Sequence, residues 1–293
     1  MDQNWQSKLV LLAVLPFAGT EAVLECNWWG THKPSVALWI LGLSALLGLA
    51  TWGVQAATAS AAATGALIVA SLMFSTITVP YDPWHTALIP ALAVSLLAYA
   101  ATHVGRGKKE RLGTAERRKG RSASQIAANL GLAAMVASSP VESWLMNFRW
   151  LPYDAAAQNL LFALLLAALA EAAADTVSSE IGQVVGGRPR LITSFKAVEP
   201  GRDGALSLAG SVAGVFAATA VAGAGTWALR GGWRLFWIGS AGAVFGLFFD
   251  SLLGATLEER GWLNNDAVNF LSTASAAGFA LAILALLSHS GAG

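Results

Sequence analysis

The stretch AEAAADTVSSEIG, residues 170 to 182, places carboxylates and hydroxyls at the end of a run so apolar that it reads as buried in lipid. On a helix turning about 100° per residue, Glu171, Asp175, Ser179, Gly182 and Gly186 fall within about 40° of Asp175. One face therefore carries acid, acid, hydroxyl, glycine, glycine. Glu180 points elsewhere, either capping the span or entering the following loop. A second acid, Asp250, ends another apolar run in GLFFDSLLGATLE, and Glu258, Asn264, Asn265, Asp266 and Asn269 follow it. An oxygen-only set of this kind suits Mg²⁺, which binds through carboxylates, waters and substrate phosphates. Asn264 and Asn265 serve equally well as a turn and helix cap.

Between the two acid-bearing segments lies GQVVGGRPRLITSFKAVEPGRDGALS, residues 182 to 207, glycine-rich and basic. Its glycines would let backbone amides approach an anion, and Arg188, Arg190, Lys196 and Arg202 would offset the charge. Ser207 and Gly210 open the next helix, whose first amides could also hold a phosphate. A phosphate-bearing substrate bridged to carboxylates through Mg²⁺ accounts for acids and bases together. A different chemistry also fits Glu171 and Asp175: a proton or cation relay in a transporter or flippase. Cys26 is the only cysteine, and His32, His85, His103 and His289 are scattered, which argues against zinc chemistry. No Walker loop or kinase glycine signature suggests a soluble nucleotide-binding fold.

The elements that must hold these groups are membrane helices. The 293 residues are 55% hydrophobic and 12% charged, and their mean hydropathy is +0.57; soluble domains are about a quarter charged. Apolar runs at about 9–25, 36–54, 57–79, 84–103, 122–139, 156–178, 204–225, 233–255 and 267–288 predict an all-α polytopic transmembrane bundle of about eight or nine spans. The first is a weak span or an interfacial helix rather than a removed signal peptide. Residues 1–45 thus form N-terminal span(s) of uncertain role, and 46–290 a membrane-embedded phosphotransferase-like domain.

The loop GRGKKERLGTAERRKGR, residues 105 to 121, carries eight basic residues against Glu110 and Glu116 and is expected to face the cytoplasm. The glycine loop and the segment from Gly254 to Asn269 follow at two-span intervals, so all three polar connections are expected on one side. The opposite connections, TVPYDPWH and PVESWLMNFRWLPYD, are aromatic, although Arg230 and Arg234 also fall on that side. The protein is expected in the plasma (inner) membrane with its site at the cytoplasmic face.

Four blocks, GTAERRKGRSASQIAANLG, AEAAADTVSSEIG, PRLITSFKAVEPGRDGALSLAGSVAGV and DSLLGATLEERGWLNNDAVNFLST, occur in order. They resemble the integral membrane family that includes transmembrane protein 19 and the chloroplast phytyl-phosphate kinase of tocopherol synthesis, over roughly residues 48 to 285. The resemblance implies phosphoryl transfer from a nucleoside triphosphate, CTP being favoured, to a polyprenyl or phytyl monophosphate, giving the diphosphate. A more distant similarity of the DTVSSEIG to GRDGALSLAG stretch to dolichol kinases and CDP-diacylglycerol synthases implies a nucleotide and divalent-metal site. A lipid cytidylyltransferase is the alternative within the enzyme class.

In this reading Asp175, Lys196 and Asp250 are catalytic, and Asp175, Glu180, Asp250 and Asp266 are the metal set. Ser179, Gly182, Arg190, Gly201, Arg202, Gly204, Ser207, Asn265 and Asn269 serve the nucleotide phosphates. Arg117, Arg118, Arg121, Gln125 and Asn129 are candidates for the acceptor phosphate, although a basic loop beside anionic headgroups is an equal account of the arginines. Ala197 stands where the family often has proline, and Arg202 where it often has threonine. The expected partners are an isoprenoid lipid phosphate and membrane lipids, with no nucleic acid.

Overall fold

In hydrocarbon every backbone polar group must be satisfied within the chain, so long apolar runs rich in alanine and leucine become helices. The computed structural model describes residues 4–114, 120–147, 155–185 and 187–290. Each of the nine apolar runs forms a helix: α1 (Asn4–His32), α2 (Pro34–Gly53), α3 (Ala59–Phe74), α4 (Leu88–His103), α6 (Ala123–Ala137), α8 (Ala155–Val185), α9 (Leu208–Ala228), α10 (Trp233–Leu253) and α11 (Asn265–Ser290). Two short helices, α5 (Arg106–Leu112) and α7 (Ser139–Asn147), lie in the connections. The protein is an all-α polytopic membrane bundle.

Six of these helices are long and apolar enough to cross a membrane among the described residues, and α4 followed by α5 makes a seventh across a 66° bend. The eight or nine spans expected from the apolar runs are reached only by adding α3 and α6, which have 16 and 15 residues. At about 1.5 Å per residue they fall short of a core about 30 Å thick. Both are packed inside the bundle between α1, α2 and α8.

Helix α8 is the axis. Some 89% of its apolar window is buried, and α4, α6, α9, α10 and α11 pack around it. Its partners approach closely because glycines face it. A Cβ on Gly210 would stand 2.6 Å from the Ser178 carbonyl oxygen, one on Gly214 2.9 Å from that of Ala174, and one on Gly242 2.8 Å from Ala167 Cβ. Small residues are the usual means of tight helix packing in lipid, where apolar side chains gain little by leaving the bilayer. The outer faces of α1, α2, α9 and α10 expose Leu12, Leu38, Leu208, Phe216 and Trp237, as lipid contact requires. Helix α1 joins this bundle by packing on α3, α6 and α11.

The three polar connections do lie at one end. Lys108 Nζ donates to the Val184 carbonyl at 2.7 Å, and Gly201 packs on Thr114. The glycine loop forms a two-residue ribbon, β1 (Arg190–Leu191) antiparallel to β2 (Ala205–Leu206), and rests on the π-helical turn Gly254–Glu258 that ends α10. Gly204 sits at φ +70°, where a Cβ would strike the backbone of Ser251 and Ala255, and a Cβ on Gly254 would lie 2.8 Å from the Gly204 nitrogen. At the other end His85 Nδ1 lies 3.1 Å from the Ala228 carbonyl oxygen.

One buried ion pair fixes the basic connection to α8. Lys109, 1% exposed, meets Glu180 at 2.5 Å and also donates to the carbonyls of Ala101 and Thr102. Breaking one side of such a pair costs about 3–5 kcal/mol, whereas an apolar replacement of both sides is often neutral. Lys109→Met should therefore lower the unfolding temperature in detergent, and Lys109→Met with Glu180→Leu should recover most of the loss. Gly204→Ala combines a left-handed backbone with a backbone clash and should cost more than the roughly 1 kcal/mol of conformational strain alone. It should free the glycine loop, seen as faster tryptic cleavage after Arg190, Lys196 and Arg202.

Candidate functional site

The close crossings of α8 with α9 and α10 bring the two acid-bearing segments to the same place. Asp175 and Ser179 from α8 face Asp250 and Ser251 from α10, with Ser207 at the start of α9 and Asn265 and Asn269 at the start of α11. Asp175 and Asp250 line the same cavity from neighbouring helices. Together with the glycine loop they enclose a cavity of about 200 Å³. Gly182 belongs to its floor because a Cβ there would stand 3.0 Å from Ser207 Oγ. Gly201, Arg202, Asp203 and Gly204 form the lid.

Several of these groups are held by local bonds. Ser207 caps α9 by accepting from Gly210 N at 3.0 Å, and Ser179 Oγ donates to Asp175 Oδ1 at 3.4 Å. Arg202 at the rim pairs with Glu259. Burial pushes the Asp203 carboxyl above its ordinary range, and neighbouring Glu259 adds to the shift. Asp250 Oδ2 and Gln183 Oε1 are buried with no hydrogen-bond partner in the protein. A buried carboxylate oxygen without a donor is costly unless something supplies positive charge.

The donors present fit a hard cation that shares its coordination with phosphate. Asp175 and Asp250 supply two carboxylates, and serine and asparagine oxygens surround them. No cluster of three or more His, Cys, Asp or Glu side chains able to hold a metal occurs among the described residues. Mg²⁺ commonly uses only one or two carboxylates and completes its shell with waters and substrate phosphates.

The structure thus gathers Asp175, Ser179, Gly182, Gly201, Arg202, Gly204, Ser207, Asp250, Asn265 and Asn269 around one cavity. It places the other candidates elsewhere. Glu180 turns from this face to Lys109. Lys196 is exposed in the ribbon loop, and Arg190 donates to the Phe195 carbonyl at 2.8 Å. Asp266 accepts from Ser7 Oγ at 2.6 Å, tying α11 to α1. Asn264 does cap α11, through Ala267 N at 2.9 Å. Gln125 closes a capping box with Ser122, and Asn129 donates to the Gln125 carbonyl at 2.8 Å. Arg121 is bridged to the connection between α2 and α3, its N donating to the Ala56 carbonyl at 3.0 Å. Arg117, Arg118 and Gly186 lie outside the described residues.

The cavity also includes Ser178, Gln183 and Asp203, which the sequence did not single out. Gln183 lies four residues beyond Ser179 on the same helical stripe, a spacing that could have flagged it. Ser272, on α11, meets Gly246 on the side where Gly246 also packs on Glu171 Cγ, and only the tertiary fold brings it there. Glu171 itself is 1% exposed, with Oε1 unpartnered, and Gly246 packs against its Cγ.

The chain is 42% identical over 108 residues to an uncharacterised membrane protein of Methanocaldococcus jannaschii, covering 37% of this chain and 45% of that protein. It is 30% identical over 207 residues to an uncharacterised membrane protein of Synechocystis, covering 68% of this chain and 74% of the relative. Protein VTE6, chloroplastic, of Arabidopsis thaliana is 31% identical over 184 residues, covering 61% of this chain and 53% of the plant protein. The chain therefore spans about half the length of two of these three relatives. No solved structure gives a significant match. The family model for integral membrane protein DUF92 matches residues 42–277, which contain both acid-bearing segments and the glycine loop, and the chain belongs to that family.

Proposed function

We propose that this membrane protein is an isoprenyl-phosphate kinase, transferring a phosphoryl group from a nucleoside triphosphate, with CTP favoured, to a polyprenyl or phytyl monophosphate. The observation that carries this reading is the cavity in which Asp175 and Asp250, from two different spans, meet beneath a glycine-rich lid. The unpartnered Asp250 oxygen calls for a cation, and the lid offers backbone and Arg202 to an anion. The resemblance to the family of the chloroplast phytyl-phosphate kinase supports the acceptor class and the donor.

Asp175 and Asp250 would hold Mg²⁺, which when bound supplies charge neutralisation and fixes the donor phosphates. Ser179, Asn265 and Asn269 orient the remaining oxygens. The lid from Gly201 to Gly204 covers the triphosphate, with Arg202 balancing the transferring group. An oxygen of the acceptor monophosphate attacks the γ-phosphorus while the bond from that phosphorus to the β-bridging oxygen breaks. The nucleoside diphosphate leaves with the electron pair. The attacking oxygen is already anionic, so no strong base is needed, consistent with histidines that lie outside the cavity lining. The basic residues of the 105 to 121 connection favour a cytoplasmic site in the plasma (inner) membrane.

A second reading rests on Glu171, buried directly behind the cavity with an unpartnered oxygen. In a transporter, Glu171 and Asp175 would pass a proton or cation.

The test is an assay in detergent micelles with radiolabelled geranylgeranyl or phytyl monophosphate, each common nucleoside triphosphate and Mg²⁺. A labelled diphosphate is expected, with Asp175→Asn and Asp250→Asn reducing the rate by at least about a hundredfold while inserting and purifying normally. Release of pyrophosphate with a nucleotide-linked lipid would instead identify a cytidylyltransferase. No conversion with any acceptor by a folded protein would shift the assignment to the relay.

A further inference from the structure

A second, larger cavity of about 280 Å³ lies on the opposite side of the basic connection, between α2, α3, α4, α6 and α8. Its deep wall is apolar, with Ala61, Gly65 and Ala98 beside Leu47, Val69, Val94, Ile126 and Leu130. Its mouth is polar and basic, with Gln55, His103, Arg106 and Arg121. Helices α2 and α4 both contribute to its wall, through Leu47, Gly48 and Thr51 and through Val94, Ser95 and Ala98.

Two features join this cavity to the carboxylate site. Ala172 lines it from α8, one turn before Asp175. Arg121 lines it too, and its charge also reaches Asp175. The backbone holds Arg121 in this position. Arg121 N donates to the Ala56 carbonyl at 3.0 Å, and Thr58 N donates to the Arg121 carbonyl at 3.0 Å. Gly120, at φ +74°, fits so tightly that a Cβ would stand 2.6 Å from Ala57 N. Among the described residues no carboxylate forms an ion pair with Arg121.

We propose that this cavity seats a single-chain phosphorylated isoprenoid, its chain along Gly65 and Ala98 and its phosphate at Arg121. The chain class follows from an apolar wall of alanine and glycine interleaved with the branched side chains of Leu47, Val69, Val94, Ile126 and Leu130. The head class follows from an arginine poised between an apolar pocket and a carboxylate site. The phosphate identity of the head rests on the kinase reading. A tail longer than the cavity would extend beyond it, so the site selects the head and the first isoprene units.

The test is equilibrium binding of radiolabelled geranylgeranyl monophosphate to the purified full chain in detergent, without nucleotide or Mg²⁺. Geranylgeraniol and inorganic phosphate serve as competitors. A Cβ on Gly65 has only Ile126 nearby, at 3.7 Å, so Gly65→Leu would fill the cavity and should weaken binding at least about tenfold. Arg121→Gln should weaken geranylgeranyl monophosphate by about tenfold and leave geranylgeraniol unaffected. Asp250→Asn should bind the lipid as the parent does. Should Gly65→Leu fail to fold, Ser95→Cys in a Cys26→Ser background decides: the lipid is expected to protect Ser95→Cys from maleimide.

Absent binding, unweakened binding in Gly65→Leu, absent protection, or competition by inorganic phosphate as strong as by the lipid would each overturn the proposal. Binding with this pattern but no phosphoryl transfer would keep the lipid seat and remove the kinase. Turnover with an unchanged lipid KM in Gly65→Leu would do the reverse.

Discussion

Two carboxylates from neighbouring spans, Asp175 and Asp250, face each other at the end of a tightly packed helical core. Like charges about 4 Å apart at an effective dielectric constant near 20 repel by about 4 kcal/mol. That is a large part of the 5–15 kcal/mol that typically holds a domain folded. A fold that keeps them together must provide a compensating charge, bind one, or hold a proton on the pair. The glycines of α9 and α10 bring the helices close, the lid encloses the pair, and Arg121 supplies a nearby positive charge. A substrate complex in which a divalent cation carries phosphate would complete the same balance.

The arrangement divides labour along α8. Beyond Asp175 the helix presents Ser179 and Gly182 to the polar cavity. One turn before it, Ala172 faces the apolar cavity. Glu180 faces neither and anchors the basic connection through Lys109. In the proposed kinase, one helix would separate a water-soluble donor from a lipid acceptor while keeping their phosphates near one carboxylate. The stability of Lys109 with Glu180 and the fit of Gly204 onto Gly254 matter to function because they hold the two walls that do not belong to spans.

Much of this was legible in the sequence. The nine apolar runs became nine helices because backbone bonds in lipid leave a helix as the local solution. The stripe through Asp175, Ser179 and Gly182 follows from helical period alone. Periodicity does not reveal which polar residues are already engaged. Glu180 and Asp266 have the right chemistry for a metal, yet one carries Lys109 and the other Ser7, partners 71 and 259 residues away. Lys196 has the right charge, but the ribbon leaves it exposed. The apolar cavity was invisible for the same reason: five helices each contribute part of its lining, and no contribution is distinctive alone.

The central claim is that Asp175 and Asp250 together bind a cation that carries nucleotide phosphate. The most direct measurement uses Mn²⁺ in place of Mg²⁺ and records its paramagnetic resonance and the ³¹P relaxation of CTP with the purified protein. The account predicts Mn²⁺ binding that tightens with CTP, ³¹P relaxation enhanced by the bound ion, and loss of both in Asp175→Asn and Asp250→Asn. Unchanged Mn²⁺ binding and ³¹P relaxation in those two variants would contradict it.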